Sequence, residues 1–493
     1  MSIRTDWVPM YWPCGPLEAA LREKEKGFDP QVKDLLAGWG ETARLAIVKG
    51  TPVNCLVVRW AAGLPQDASQ QQGLSAWVHA AHTAGLAVVG LVSAAADKGK
   101  AAAAAEAAGL AALAVEGDPP RSALPIIPLA EEGKAPWKRL SPILALDGMR
   151  WPGITMGSTR ESEDVNAGAT QAPWIDSNAY VLQMAAALGG TDKTFWLMFH
   201  PPAKDRITVR DAYLRAVADT GMAGGRWVLS LADDLRRGLI QGQSEALATW
   251  KATAAAAGFF AQHPEWRRAR AAGLVGVMSD FTGPNELLAT ELLNLLARRN
   301  LPFRVIAKGG SAPARFAGLK AVCCLDETPP DAGLRQQCDE FAGRGGLLFA
   351  TRAWGVGGQT EAGFDHPRFE MRRLGKGRVA ICTEESPDPY LVARDVHMIL
   401  GRTNDLVRFY NITSLISCYS AQPDGAGLLQ FVNYARRAPD DVITAWLNHP
   451  YRSARLWTLA SGTARTVAIA AENGGTAVHL PSIPVYAGVE LTG

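Results

Sequence analysis

AVVGLVSAAADKGKAAAAAEAAGLAALAVEG, residues 87–117, is where the fold can be read. It begins with an apolar run (87–92), continues as an Ala-rich helical run (94–108) and ends in a second apolar run closed by Glu116 and Gly117. Neither apolar run alternates with polar residues. Such a run has no face for water, so it reads as a strand buried on both sides, as in a parallel sheet. Two of them joined by one helix make a βαβ unit.

The same alternation extends in both directions. WVPMYW (7–12) reads as a strand, followed by a polar helical region around 16–39. NCLVVRW (54–60) leads into a helix near 70–84. PIIPL (125–129) arrives with no helix before it. ILALDG (143–148) opens a long Gly/Ser/Thr/Asp loop to about residue 171, and APWIDSNAYVLQMAAAL (172–188) supplies the next helix. FWLMFH (195–200), a helix near 208–222, RWVLSL (226–231) and a long helix over 234–262 complete the series. About eight strand–helix units in this span have the size of a (β/α)₈ TIM barrel. An open doubly wound sheet is the rival, but no GxGxxG or GxxxxGK[ST] stands at a strand–helix turn to support its nucleotide-binding form.

Two further units follow. LVGVMSDF (274–281), PNELLATELLNLLARR (284–299), LPFRVIA (301–307), LKAVCCLD (319–326), a helix over 330–343, GLLFATRAWG (346–355) and RVAICT (378–383) give a flavodoxin-like α/β order. From about 405 the runs are short, alternating and bounded by turns, the pattern of a small β-sandwich. The expected domains are therefore a barrel over 1–268, an α/β domain over 269–402 and a sandwich over 403–493.

Bulk composition excludes several function classes. With 50 basic and 48 acidic residues, net charge is +2, which gives no electrostatic case for nucleic acid or a membrane surface. No apolar run approaches the roughly 18 residues a membrane helix needs. The N-terminus shows no apolar signal core, so the expected location is cytoplasmic, or periplasmic or secreted if a signal peptide was removed. Seven scattered cysteines without a CxxC pair fit a reducing compartment and no zinc ribbon. No cofactor and no metal site is expected. There are 15 Trp against 9 Tyr, and Trp12, Trp60, Trp151 and Trp174 fall at expected strand ends, where rings can stack on sugars.

The three-part order resembles the family 42 glycoside hydrolases, the β-galactosidase type. The residues that carry the resemblance are FFAQHPEW closing the barrel, then VGVMSD, LLNLLARRNLPFRVI, FAGLKAVCCLDE and FAGRGGLLFATRAWG, then LLQFVNYA and HLPSIPVYAGVEL. The resemblance implies a catalytic barrel, a middle domain like class I glutamine amidotransferases that mediates trimerisation, and a C-terminal β domain. It also implies a carbohydrate substrate and a homo-oligomer. An amidotransferase would need a nucleophilic Cys on a sharp strand–helix turn. LLFATRAWG offers Thr351 there, so the middle domain reads as a scaffold.

Barrel enzymes keep their chemistry at the C-terminal ends of the strands. Glycoside hydrolysis needs two carboxylates, and burial can keep a proton on one of them. Glu116 after strand four, Asp147 after strand six, Asp176 in the next loop and Asp233 after strand eight are the candidate catalytic residues. Each also has a structural reading: Asp147 can shape a turn, and Asp176 and Asp233 can cap helices. Trp12, Arg59, Trp60, Arg150, Trp151, Trp174, Asn178 and His200 are the candidate substrate-binding residues. In the resembled family an Asn precedes the acid/base Glu of strand four, whereas Val115 precedes Glu116 here. Strand seven there ends in the nucleophilic Glu, and here it ends in His200. The expected activity is glycosidic hydrolysis by a carboxylate pair. The alternative is a catalytically inactive carbohydrate-binding protein.

Overall fold

The computed structural model describes every residue except 1–2, 26–27, 132–140, 156–173, 191, 203–209, 270, 310–314, 356, 423–424 and 436–440. The chain divides into two compact units. One comprises Met1–Pro152 with Gly189–Arg268, the other Gly153–Leu188 with Ala269–Gly493.

The first unit is a (β/α)₈ barrel. Its eight strands, in spatial and chain order, are Pro9–Tyr11, Cys55–Ala61, Ala87–Val92, Ala112–Glu116, Ile126–Glu131, Ile143–Asp147, Thr194–Leu197 and Arg226–Trp227. Every neighbouring pair is parallel. A parallel bridge between Met10 and Leu229 joins the first strand to the last. The Tyr11 amide donates to Leu229 O at 2.9 Å, and the Leu229 amide donates to Pro9 O at 3.0 Å.

Alternate residues of these strands point inward. Trp7, Tyr11, Val57, Val89, Ala114, Ile127, Ala145, Trp196 and Val228 belong to one buried cluster that fills the barrel. Each large apolar side chain buried in this way contributes about 1.5–3 kcal/mol. Gly90 shows how closely neighbouring strands and their connections pack: a Cβ there would lie 2.8 Å from Leu110 Cδ2 and 2.9 Å from Trp60 Cβ. The connection from strand four to strand five has no helix, as PIIPL suggested.

In the second unit, five parallel strands stand in the order Phe303–Ala307, Val275–Ser279, Ala321–Cys324, Leu347–Thr351, Gly377–Cys382. In chain order this is 2-1-3-4-5, the flavodoxin-like arrangement. Phe369–Leu374 and Gln359–Thr360 extend it antiparallel. Thr351 donates to Asp326 O at 3.2 Å, and Cys323 and Cys324 are wholly buried in the neighbouring strand. The C-terminal part is a β-sandwich of a four-stranded and a five-stranded antiparallel sheet, which share one apolar core. All seven cysteines are free thiols. Among the described residues no helix is long and apolar enough to cross a membrane.

Candidate functional site

A cleft of about 430 Å³ opens at the C-terminal ends of the barrel's first, second, seventh and eighth strands. That volume suits a small ligand. It is built from short connections. The first strand ends at Tyr11, and the helix Gly15–Arg22 that follows returns Glu18 and Arg22 to the cleft. Arg59 projects from the second strand. His200 follows the seventh strand, and Ser230 precedes the helix Asp233–Ile240, which brings Asp233 and Arg236.

The centre of the site is polar and connected. The Tyr11 hydroxyl donates to Glu18 Oε2 at 2.5 Å, and Arg59 Nε donates to the same phenol oxygen at 3.2 Å. Arg59 Nε lies 3.6 Å from Glu18 Oε2. Burial, and then the Glu18 charge, push the Tyr11 phenol well above its ordinary pKa. Arg59 is held firmly protonated, chiefly by Tyr11 and, against the effect of burial, by Glu18 and Asp147.

On the other wall Arg22 Nη2 binds Asp233 Oδ2 at 2.9 Å, and Arg236 pairs with Asp233 Oδ1. Burial alone would raise the Asp233 carboxyl, but the Arg236 and Arg22 charges carry it below the usual carboxylate range. His200 Nδ1 lies 2.7 Å from Ser230 Oγ, and its ring meets Tyr11 edge-on with centroids 5.1 Å apart. The imidazole is open to the cleft, yet protein surrounds the cleft. This desolvation, with the charges of Arg59, Arg236 and Arg22, lowers its pKa to about 4. The ring is therefore neutral at ordinary pH.

The expected site residues are distributed unevenly over the molecule. Arg59, His200 and Asp233 line the cleft. Asp147 is half-buried at the end of strand six, where Oδ1 accepts the Gly148 amide at 2.8 Å; it is not among the cleft's lining residues, although its charge reaches Arg59. Glu116 is half-buried, and its Oε2 holds the Ala94 amide at 2.9 Å. Arg150 is exposed after strand six, and Trp151 packs edge-on against Phe199, Tyr213 and Trp227.

Trp12 and Trp60 correct the expectation of sugar-stacking rings. Both are wholly buried. Trp12 stacks on Trp39 at 4.8 Å and donates to Trp39 O, and Trp60 donates to Ala101 O at 2.9 Å. Their area went into the core, with each indole N–H given a carbonyl partner.

Trp174, Asp176 and Asn178 require a second correction. They belong to the other compact unit, and none lines the barrel cleft. Trp174 lies under the Arg298 guanidinium, 3.8 Å from ring centroid to Cζ. Ser177 Oγ accepts the Ala179 amide at 3.1 Å, and Asn178 is buried. PWIDSN is thus a hairpin strand leading into a helix start, with Pro173 outside the described residues.

Sequence reasoning missed Tyr11, Glu18, Arg22, Ser230 and Arg236. Glu18 and Arg22 sit four apart on one helix, spaced to reach the same side, which was the available signal. Glu131 also stands in register with Asp147 on the adjacent strand. Among the described residues, no group of three or more His, Cys, Asp or Glu is placed to hold a metal ion.

The fold is a (β/α)₈ barrel followed by a flavodoxin-like domain and a β-sandwich. No protein-family model matches the chain, and no curated protein matches it in sequence. Among solved structures the chain is similar to α-L-fucosidase isoenzyme 2 from Paenibacillus thiaminolyticus, with TM-score 0.54 and 10% identity over 92% of this chain and 96% of that one. It is also matched to a GH42 β-galactosidase from G. stearothermophilus, with TM-score 0.43 and 11% identity over 87% of this chain and 68% of that one. A rhamnosidase from Novosphingobium sp. PP1Y gives TM-score 0.44 and 11% identity over 100% of this chain and 48% of that one. At these identities the likeness is one of fold, and it rests on the fucosidase.

Proposed function

We propose that the chain is a glycoside hydrolase acting at the mouth of its barrel, with Glu18 and Asp147 as the carboxylate pair. The observation that carries this reading is Arg59, whose Nε lies 3.6 Å from Glu18 of the first helix and which feels the charge of Asp147 at the C-terminal end of strand six. In the proposed reaction Asp147 acts in its protonated form, giving its proton to the glycosidic oxygen as the bond to the anomeric carbon breaks and returning to the carboxylate. Water adds to that carbon and yields its proton toward Glu18, with the Tyr11 hydroxyl between them. The second product leaves as the free alcohol, and no redox step is needed. Glu116 keeps a supporting role, fixing the loop at Ala94. By analogy with the resembled family, the working form is a homo-oligomer and the middle domain its scaffold; mass by light scattering tests that directly.

One observation favours a second reading, a carbohydrate-binding protein without turnover. Glu18 is engaged by Tyr11 and Arg59, Asp233 by Arg22 and Arg236, Glu25 by Arg22 and Asp234 by Arg237, so all four carboxylates that line the cleft already have partners. Chromogenic glycosides separate the two readings. The hydrolase reading expects turnover by the natural chain and a loss of about 10²–10⁴-fold in Glu18→Gln and in Asp147→Asn. Sugar binding without any turnover selects the second reading. Full turnover in both variants overturns the assignment of the pair.

A further inference from the structure

We propose that the sugar taken by this cleft is an acidic one, whose anionic group, a carboxylate or a sulfate ester, seats on Arg59. The inference rests on the carbohydrate reading above and specifies its substrate class. Arg59 spends one nitrogen on the protein: Nε donates to Tyr11 and lies 3.6 Å from Glu18 Oε2. Its side chain is one-third exposed and lines the cleft. The two terminal amino groups are thus left to form a planar fork, which matches the oxygens of an anion and which a neutral ring fills only with hydroxyls.

The surroundings reinforce that preference. Arg22 and Arg236 line the same cleft as Arg59. Asp233 serves both Arg22 and Arg236, and Arg22 also pairs with Glu25 at 2.9 Å. Arg236 is almost wholly buried, and its Nε and Nη1 have no hydrogen-bond partner. The lining carboxylates Glu25, Asp233 and Asp234 are each already ion-paired to Arg22, Arg236 or Arg237. Desolvation, and then the charges of Arg59, Arg236 and Arg22, keep His200 neutral. His200 is fixed by Ser230 through Nδ1, which leaves its second nitrogen to meet a ligand as a neutral group. A guanidinium fork facing the cleft pairs with an anion more strongly than with a neutral hydroxyl.

The test measures binding of galacturonate, glucuronate and galactose 6-sulfate against galactose and glucose, by calorimetry at low and at 0.5 M salt. At least one anionic sugar is expected to bind about ten-fold or more tightly than its neutral counterpart. That margin should shrink at high salt. A uronate preference identifies the group as a carboxylate, and a preference for the 6-sulfate identifies a sulfate. Arg59→Gln should abolish the margin. If that variant does not fold by circular dichroism, Arg22→Gln should reduce the margin instead. Neutral sugars binding as tightly as the acids, at either salt, overturn the acidic-sugar inference and leave the carbohydrate reading standing. Absence of binding by every sugar overturns both.

Discussion

Removing the Asp233 carboxylate would leave Arg236 buried beside Arg22 without a counter-charge. Breaking a pair in this way costs more than the pair itself contributes. Asp233→Asn is expected to destabilise the protein by about 2–4 kcal/mol, moderated because Asp233 and Arg22 keep some water. Denaturant unfolding followed by Trp fluorescence measures it. Because the folded pKa of Asp233 lies below its ordinary value, this contribution is present above the ordinary carboxylate range and is lost as pH falls through the folded value. His200 contributes with the same sign over a different window. Its pKa falls from 6.5 to about 4 on folding, so the unfolded chain binds more protons between those values and stability rises with pH there. His200→Asn should flatten the stability profile between about pH 4 and 6.5. An unchanged slope would show that the imidazole is not held neutral.

At the scale of elements, the barrel strands were legible because they are buried on both faces and read as unbroken apolar runs. What sequence could not give was the direction of each side chain. Trp12 stands one residue beyond the first strand and went inward onto Trp39 and Trp77, where burial of its rings outweighs exposure to a ligand. Trp12→Ala is expected to cost about 3–5 kcal/mol through the cavity it leaves, with sugar affinity of the folded fraction unchanged. Loss of affinity with stability intact would restore the stacking role. Gly90 makes a related point about packing. Gly90→Val should lower the melting temperature markedly, because the added carbons meet Leu110, Leu113 and Trp60 in a strand with no room to shift. Glu18 and Arg22 were read as part of a polar helical region. Their role emerged only when the chain brought Arg59 and Asp233, distant in sequence, to face them.

For the whole molecule, the order barrel, flavodoxin-like domain and β-sandwich followed from periodicity and run length, signals that need no partner residue to interpret. The site depended on long-range closure of the barrel, which brings residues of its first and last strands together. Arg59, His200 and Asp233 were legible as polar residues at strand ends. Tyr11 was hidden inside an apolar run, and PWIDSN misled because the local pattern of a helix start is the same whichever compact unit receives it. The central claim is that a sugar sits at the barrel mouth against Arg59 and His200. A crystal structure of the protein soaked with its best-binding sugar tests this most directly. The account predicts sugar oxygens within hydrogen-bond distance of Arg59 and His200, with Asp147 facing the ring. Sugar bound at Trp174–Asn178, with the barrel cleft empty, would contradict it.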